Sequence, residues 1–200
     1  AYDILSPQME KRGKIIEKHT KLETLYKLLS GNMSGNRMDL ETYVQRYYLE
    51  KILYAANRRF ADMSAGQFEL RMVDEENAGK GKNRGLDLMV YSNVTGKERE
   101  VRTLSGGESF MAALSLALGM ADQIQASSAS VDLDMMFIDE GFGSLDEHSR
   151  DQAVKVLQNM AEGEKLIGII SHVTELKQEI EDQLIVTKDD QGSHTRWQIS

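Results

Sequence analysis

Two adjacent carboxylates, Asp139 and Glu140, end the apolar run Met135-Met136-Phe137-Ile138. An apolar run of this length reads as a buried strand, and open α/β sheets present their ligands at the carboxyl ends of such strands. An Asp there suits Mg²⁺, which keeps several waters and takes few carboxylates. A Glu beside it can polarise a water that attacks a phosphorus atom, the positioning step that phosphoryl transfer requires. Upstream, Ser105-Gly106-Gly107 supplies a hydroxyl and two residues without Cβ, just where a helix is expected to begin. Backbone N–H groups can approach an anion closely at such a point, and the helix dipole favours negative charge there. Downstream, Ser144-Leu145-Asp146 closes a turn after Gly141 and Gly143, and His172 follows the apolar stretch Leu166–Ile170. A ring nitrogen of His172 is placed to donate to a terminal phosphate.

Each of these features has a plainer explanation when taken alone. Asp139 and Glu140 are then solvated acids at a strand end, Ser105 and Asp146 are helix caps, and His172 is a structural histidine. Their order along one chain favours phosphate chemistry. The loop that normally cradles nucleotide phosphates, Gly-x-x-x-x-Gly-Lys-Ser/Thr, is absent from the 200 residues. The cluster Gly79-Lys80-Gly81-Lys82-Asn83-Arg84-Gly85 lacks its spacing and has no Ser/Thr after the lysines. His19, His148 and His194 have no comparable context, no His/Asp/Glu grouping has zinc-ligand spacing, and no nucleophilic triad is visible.

Composition narrows the class. Hydrophobic residues at 40% and charged residues at 28% leave enough apolar side chains for a core. The absence of cysteine removes disulfides and Cys-based zinc sites and suits a reducing cytoplasm. No apolar stretch approaches the ~20 residues of a membrane span. The start Ala1-Tyr2-Asp3-Ile4 opens no signal peptide, and its lack of Met is expected of a segment excised from something longer. A net charge of −8 argues against DNA contact spread over the whole surface. Any basic surface must be local, at Lys80, Lys82 and Arg84 or at Arg58-Arg59, and each cluster also reads as a solvated loop or helix face.

The elements that must position these residues follow from periodicity. Residues 1–30 read as helix after Pro7, with Ile15, Leu22, Leu25 and Leu29 at heptad spacing among charges. That is the seam of a short coiled coil or of a single docked amphipathic helix. A second helix, from about Asp39 to Met63, carries Leu40, Tyr43, Val44, Tyr47, Tyr48, Ile52, Ala55, Ala56 and Phe60 at helical spacing. This stripe is expected to face the core with tyrosine hydroxyls reaching solvent, or in part to bind a partner. Alternation at Phe68, Leu70 and Met72, and at Leu86, Leu88 and Val90, predicts strands between Gly66 and Arg102. Beyond them the pattern predicts helix over Ser109–Ile124, strand over Leu133–Asp139, helix over Glu147–Met160 and strand over Lys165–Ser171. A short helix Val173–Ile180 and a hairpin of Gln183–Lys188 with Thr195–Ile199 complete the chain. Continuous apolar strands alternating with helices imply an α/β fold whose sheet is covered on both faces.

These residues together resemble the C-terminal lobe of the ATP-binding cassette superfamily. Leu104-Ser105-Gly106-Gly107-Glu108 matches its signature motif, Met135–Glu140 its Walker B strand, Ser144-Leu145-Asp146 its D-loop and His172 its switch histidine. Within the superfamily the chain is most similar to the SbcC family, ATPase subunits of bacterial double-strand-break repair nucleases. The pointers are Leu-Ser-Gly-Gly-Glu-Ser-Phe, Asp-Glu-Gly-Phe-Gly-Ser-Leu-Asp and Ile-Ile-Ser-His-Val, with Tyr43–Ser64 resembling the helix after the coiled coil.

The resemblance implies the C-terminal lobe of an ABC-type P-loop ATPase head, a mixed sheet covered by helices with a coiled-coil stub at the N-terminus. Residues 1–30 would end a returning coiled-coil arm, 31–65 would form its helical base, and 66–200 the lobe itself. An N-terminal Walker A lobe of the same protein would supply the phosphate loop, and ATP and Mg²⁺ would be the ligands. Glu140 and His172 would be catalytic, and Asp139 would hold Mg²⁺ through water. Leu104, Ser105, Gly106, Gly107 and Glu108 would meet ATP held by a second head of a homodimer. The further implied partners are an SbcD-like metal-dependent nuclease and double-stranded DNA, with no membrane involved.

Two alternatives stand beside this reading. Transporter cassettes usually resemble Leu-Ser-Gly-Gly-Gln and have Pro or Ala after Asp-Glu, where this chain has Glu108 and Gly141. An SMC- or RecN-type clamp is also a split cassette on a coiled coil, but holds DNA without a nuclease. Gly141-Phe142-Gly143 after Asp139-Glu140 favours the SbcC-like reading over it.

Overall fold

A computed structural model describes residues 2–31, 38–73, 86–127, 133–161 and 165–199, with backbone alone for 2–6. The cluster Gly79–Gly85, with Lys80, Lys82 and Arg84, lies outside the described residues. The chain divides into two compact units, one of residues 1–50 with 72–87 and one of residues 51–71 with 88–200.

The first unit holds helix α1 (Tyr2–Leu29) and the start of α2 (Leu40–Met63). Helix α1 begins at Tyr2 and accommodates Pro7 inside it, rather than starting after the proline. A proline this near a helix start removes a single intrahelical hydrogen bond. Three i,i+4 ion pairs support the helix: Glu10–Lys14 at 2.8 Å, Glu17–Lys21 at 2.7 Å and Glu23–Lys27 at 2.8 Å. Each has Glu on the N-terminal side, the favourable orientation for such a pair. The heptad residues Ile15, Leu22, Leu25 and Leu29 are all exposed. Asp39 caps α2, its carboxylate accepting the Thr42 N–H at 2.7 Å. That bond to the Thr42 amide draws the Asp39 carboxyl below its ordinary value.

The two halves of α2 differ in burial. Leu53, Ala56, Phe60 and Met63 are buried in the C-terminal half, whereas Leu40, Tyr43, Val44, Tyr47 and Tyr48 are exposed in the N-terminal half. The expected core-facing stripe therefore holds only for the C-terminal half.

The second unit contains three small sheets. Strands β1 (Phe68–Met72), β2 (Leu88–Ser92) and β3 (Lys97–Glu100) form one, in the order β1-β2-β3, with β2 and β3 antiparallel. The Asn57 side chain on α2 binds both backbone groups of Leu70, accepting its N–H at 2.8 Å and donating to its carbonyl at 2.9 Å. Helix α3 (Gly106–Ser127) begins three residues earlier than expected. At Gly119 it packs so closely on α2 that a Cβ there would stand 2.7 Å from the Ile52 carbonyl oxygen and 2.9 Å from the Ala56 nitrogen. Arg59 on α2 meets Asp122 on α3 at 2.7 Å, and Lys165 approaches the same carboxylate at 3.8 Å.

Strands β4 (Met135–Asp139) and β5 (Leu166–Ile170) pair in parallel, flanked by α4 (Glu147–Ala161). The parallel pairing through an intervening helix is the crossover that parallel strands require. Ile138 is buried and Met136 and Ile167 are partly covered, but Met135 at 54%, Phe137 at 65%, Leu166 at 58% and Ile170 at 55% stay exposed. The sheet is thus covered on one face, not on both. A short helix α5 (Leu176–Glu179) leads to the antiparallel hairpin of β6 (Gln183–Asp189) and β7 (Gly192–Gln198). No helix among the described residues is long and apolar enough to cross a membrane.

Candidate functional site

The start of α3 is a reciprocal cap. Ser105 Oγ accepts the Glu108 N–H at 3.3 Å, and Glu108 Oε2 accepts the Ser105 N–H at 2.7 Å. This is the Ser-x-x-Glu capping box, which satisfies two backbone donors that a helix start would otherwise leave unpaired. It explains why α3 begins at Gly106 despite two glycines that disfavour helix. Arg99 on β3 also donates to Glu108 Oε2, at 3.0 Å. Burial pushes the Glu108 carboxyl up, but the Ser105 amide and the Arg99 guanidinium outweigh it and hold the carboxyl below its ordinary value. Glu108 is therefore turned back on its own helix.

The signature residues pack directly on the turn after β4. A Cβ on Gly107 would stand 2.9 Å from the Ser144 carbonyl oxygen, and one on Gly106 would stand 3.5 Å from the Ser144 Cβ. Ser105–Glu108 and Ser144–Asp146 line one cleft of about 320 Å³, together with His148 and Ser149. Leu104 does not line it; this half-buried residue closes a short 3-10 turn, its N–H donating to the Val101 carbonyl at 3.1 Å. Leu145 is buried at 8% exposure and fixes the turn, while Ser144 donates through Oγ to the Gly141 carbonyl at 2.7 Å. Asp146 caps α4, accepting the Ser149 N–H at 2.9 Å and its hydroxyl at 3.0 Å. Those bonds, the amide first, draw the Asp146 carboxyl below its ordinary value.

The carboxylate pair sits elsewhere. Asp139 ends β4 beside Ile170, on the same open face as Met135 and Phe137, and is exposed. The Glu140 N–H still bonds the Ile170 carbonyl at 2.8 Å, extending the parallel ladder by one residue. Its backbone is left-handed, with φ at 61°, and Gly141 follows at 100°. A left-handed non-glycine residue is sterically disfavoured, and such strain concentrates at functional sites. The consequence is an abrupt turn out of the strand. Glu140 then pairs with His172, with its two carboxylate oxygens 3.1 and 2.9 Å from Nδ1. Asp139, Glu140 and His172 do not line the cleft at the start of α3.

The expected site residues thus fall into two groups on one unit: an anion-ready helix start facing the Ser144–Asp146 turn, and a carboxylate–histidine pair at the strand end. Among the described residues no cluster of three or more metal-ligating side chains exists. Asp139 and Glu140 are adjacent carboxylates at the strand end, a donor set of the kind Mg²⁺ takes when water and substrate phosphates complete its shell. Sequence reasoning missed Arg99, Phe110 and Ser149. Arg99 lies in the all-charged β3, which has no apolar alternation to announce it. Phe110 sits two residues past the signature and resembles ordinary core.

The family described as SbcC/RAD50-like, Walker B motif, matches residues 58–159. The chain is 44% identical over 188 residues to the C subunit of the nuclease SbcCD from Vibrio cholerae, covering 91% of this chain and 18% of that protein. Its likeness to the protein of the same name from Treponema pallidum is 42% over 193 residues, covering 96% of this chain and 18% of that one. The chain thus spans about 18% of the length of these relatives. In fold it is similar to the Smc head domain of Pyrococcus furiosus with an extended coiled coil, bound to the C-terminal domain of ScpA. The TM-score is 0.62 at 16% identity, over 96% of this chain and 44% of that one. A chain from work on the ATP-driven dimerization of SMC ATPases gives 0.61 at 17% identity, over 78% of this chain and 88% of that one. The fold is similar to that of Smc head domains, and with a family match over residues 58–159 that takes in Ser105–Glu108, Asp139, Glu140 and Ser144–Asp146, the chain belongs to the SbcC/RAD50-like family.

Proposed function

We propose that this chain is the C-terminal half of an ATP-hydrolysing head that, paired with an N-terminal Walker A lobe, controls DNA-end processing by a partner nuclease in double-strand-break repair. The observation that carries the reading is the Glu140 turn. A left-handed residue directly after a parallel strand swings its carboxylate onto His172 and leaves Asp139 alone on the open face.

In this reading the first lobe covers that face, where Met135, Phe137, Leu166 and Ile170 surround the strand end. Asp139 holds Mg²⁺ through water, and Mg²⁺ when bound neutralises charge on the nucleotide's phosphates. Glu140 accepts a hydrogen bond from the attacking water and orients it. With Nδ1 of His172 donating to Glu140, Nε2 is the nitrogen left to face the γ-phosphate, and it donates there only in the doubly protonated ring. The Ser105 hydroxyl and the first amides of α3 meet the γ-phosphate of a nucleotide gripped by a second head. Separation of the cleft from the Glu140–His172 pair supports that division, since one chain would then contribute to two composite sites. Glu108, being occupied at its own helix start, supports the signature rather than touching the nucleotide. Asp146 likewise shapes the turn.

Residues 1–30 would be the end of the returning coiled-coil arm and 31–65 its base, with 66–200 as the lobe. The exposed tyrosines of α2 and the open seam of α1 support docking of a metal-dependent nuclease near that base. The relatives' name, that of a nuclease component, favours this over a clamp without a nuclease. Double-stranded DNA would be the polymer substrate and the cytoplasm the compartment.

Titration calorimetry with Mg-ATP tests the reading. The isolated chain should show no tight binding, because the phosphate loop supplies most of the grip on the β- and γ-phosphates. Joined to its first lobe, it should bind. Micromolar affinity of the isolated chain would contradict the split arrangement.

A further inference from the structure

We propose that Phe110 is a positioning residue for Glu140, acting through Gly141. This rests on Glu140 being the group that orients the attacking water. Phe110 lies in the first turns of α3, and its ring is pressed against the Gly141 backbone. A Cβ on Gly141 would stand 2.2 Å from both Cδ2 and Cε2 of the ring and 3.1 Å from Cζ. The same ring meets Phe142 edge-on, with centroids 4.9 Å apart and planes at 62°, and Phe142 is fully buried.

The need for such a clamp follows from the backbone. Glu140 and Gly141 are consecutive left-handed residues, with φ of 61° and 100°. A strained turn of this kind persists only where its surroundings over-determine it. On the strand side, the bond from the Glu140 N–H to the Ile170 carbonyl holds the residue. On the exit side, the Gly141 carbonyl accepts the Ser144 N–H at 3.2 Å and its hydroxyl at 2.7 Å. Those bonds fix the carbonyl end of Gly141 but not its Cα face. The Phe110 ring fills that face. Without it, Gly141 regains its wide conformational range, and Glu140 can relax towards an ordinary strand conformation that aims its carboxylate elsewhere. Phe110 itself touches neither nucleotide nor water.

The test uses the two-lobed protein and four forms: parent, Phe110→Ala, Glu140→Gln and the double variant. A misplacement of about 1 Å in a reacting group can lower a rate by roughly 10²-fold. Phe110→Ala should therefore lower kcat by roughly that factor with KM for Mg-ATP unchanged, and Phe110→Tyr, which keeps the ring face, should restore most of the rate. In the Glu140→Gln background, Phe110→Ala should have no further effect, because residues acting as one unit are non-additive. A Phe110→Ala loss that recurs at full size in that background overturns the proposal, as does a parent-like kcat for Phe110→Ala. If Glu140→Gln itself hydrolyses ATP at the parent rate, the assignment of Glu140 fails instead. Should Phe110→Ala unfold at the assay temperature, Phe110→Leu replaces it, since it keeps apolar fill but lacks the ring face and should show the same kcat loss.

Discussion

Two glycines inside helices offer opposed outcomes for the same substitution. Gly13 in α1 has nothing within 4 Å of where a Cβ would be, whereas Gly119 in α3 would place that atom 2.7 Å from the Ile52 carbonyl oxygen and 2.9 Å from the Ala56 nitrogen. In both cases alanine gains helix propensity of about 0.8–1 kcal/mol over glycine. At Gly13 nothing opposes that gain. At Gly119 the contacts are with backbone, which cannot swing aside, so α2 and α3 must part by about 0.7 Å to bring the 2.7 Å contact to the 3.4 Å of ordinary van der Waals distance. A gap of that size forfeits about a quarter or more of the dispersion well at each contact along the seam. The seam includes Ile52 and Ala56 against Gly119, and Arg59 against Asp122. Overpacking of this kind costs about 1–3 kcal/mol, which exceeds the propensity gain. Gly13→Ala should therefore raise the urea midpoint, and Gly119→Ala should lower it or leave it level. Gly119→Val, with two further methyls, should lower it clearly. Denaturation followed by far-ultraviolet circular dichroism measures all three. A Gly119→Ala variant as stabilised as Gly13→Ala would refute the close α2–α3 approach.

Glu108→Ala should destabilise the start of α3 by about 0.5–2 kcal/mol, the worth of an N-terminal cap. Glu108→Gln, which keeps the bond from the Ser105 amide, should lose only the partly exposed Arg99 pair, about 0.2–1 kcal/mol, and amide exchange in the first turn of α3 reads both. Because the folded Glu108 carboxyl lies below its ordinary value, its contribution is fully present above that ordinary value and fades as pH falls through the folded one. The parent's urea midpoint should drop across that acidic window more than that of Glu108→Gln. Asn57→Asp keeps the acceptor for the Leu70 N–H but faces the Leu70 carbonyl with a carboxylate oxygen. It should cost about 1–3 kcal/mol at neutral pH by leaving that carbonyl unpaired, and a midpoint equal to the parent's would contradict the bridging role.

The chemistry is more legible in the sequence than the packing. Asp139, Glu140, His172 and the Ser105–Gly107 turn stand out because phosphate chemistry demands particular atoms at particular strand and helix ends. Propensity weighs the two glycines and so delays the start of α3 to Ser109, while the capping box between Ser105 and Glu108 overrides them and starts it at Gly106. Strand β3 escapes the pattern because Lys97-Glu98-Arg99-Glu100 has no apolar residue, and its pairing to β2 is set by a turn at Gly96 and backbone bonds. The exposed face of β4 and β5 and the exposed tyrosines of α2 share one cause. Apolar periodicity records which side chains share one face of an element, not whether that face is covered. Pairing of Glu140 with His172, across 32 residues, depends on a left-handed turn that only coordinates reveal.

The catalytic reading stands or falls on Glu140 orienting the attacking water in a head assembled from this chain and an N-terminal lobe. Steady-state hydrolysis of Mg-ATP by that assembly, parent against Glu140→Gln, decides it. Glu140→Gln keeps the shape and reach of the side chain and removes its charge, while Asp139 and the signature turn stay intact. ATP should still bind, the closed dimer should accumulate, and hydrolysis should fall by roughly 10²–10⁴-fold, the usual worth of a positioned base. Hydrolysis at the parent rate would contradict this role and leave Glu140 as a strand-end acid.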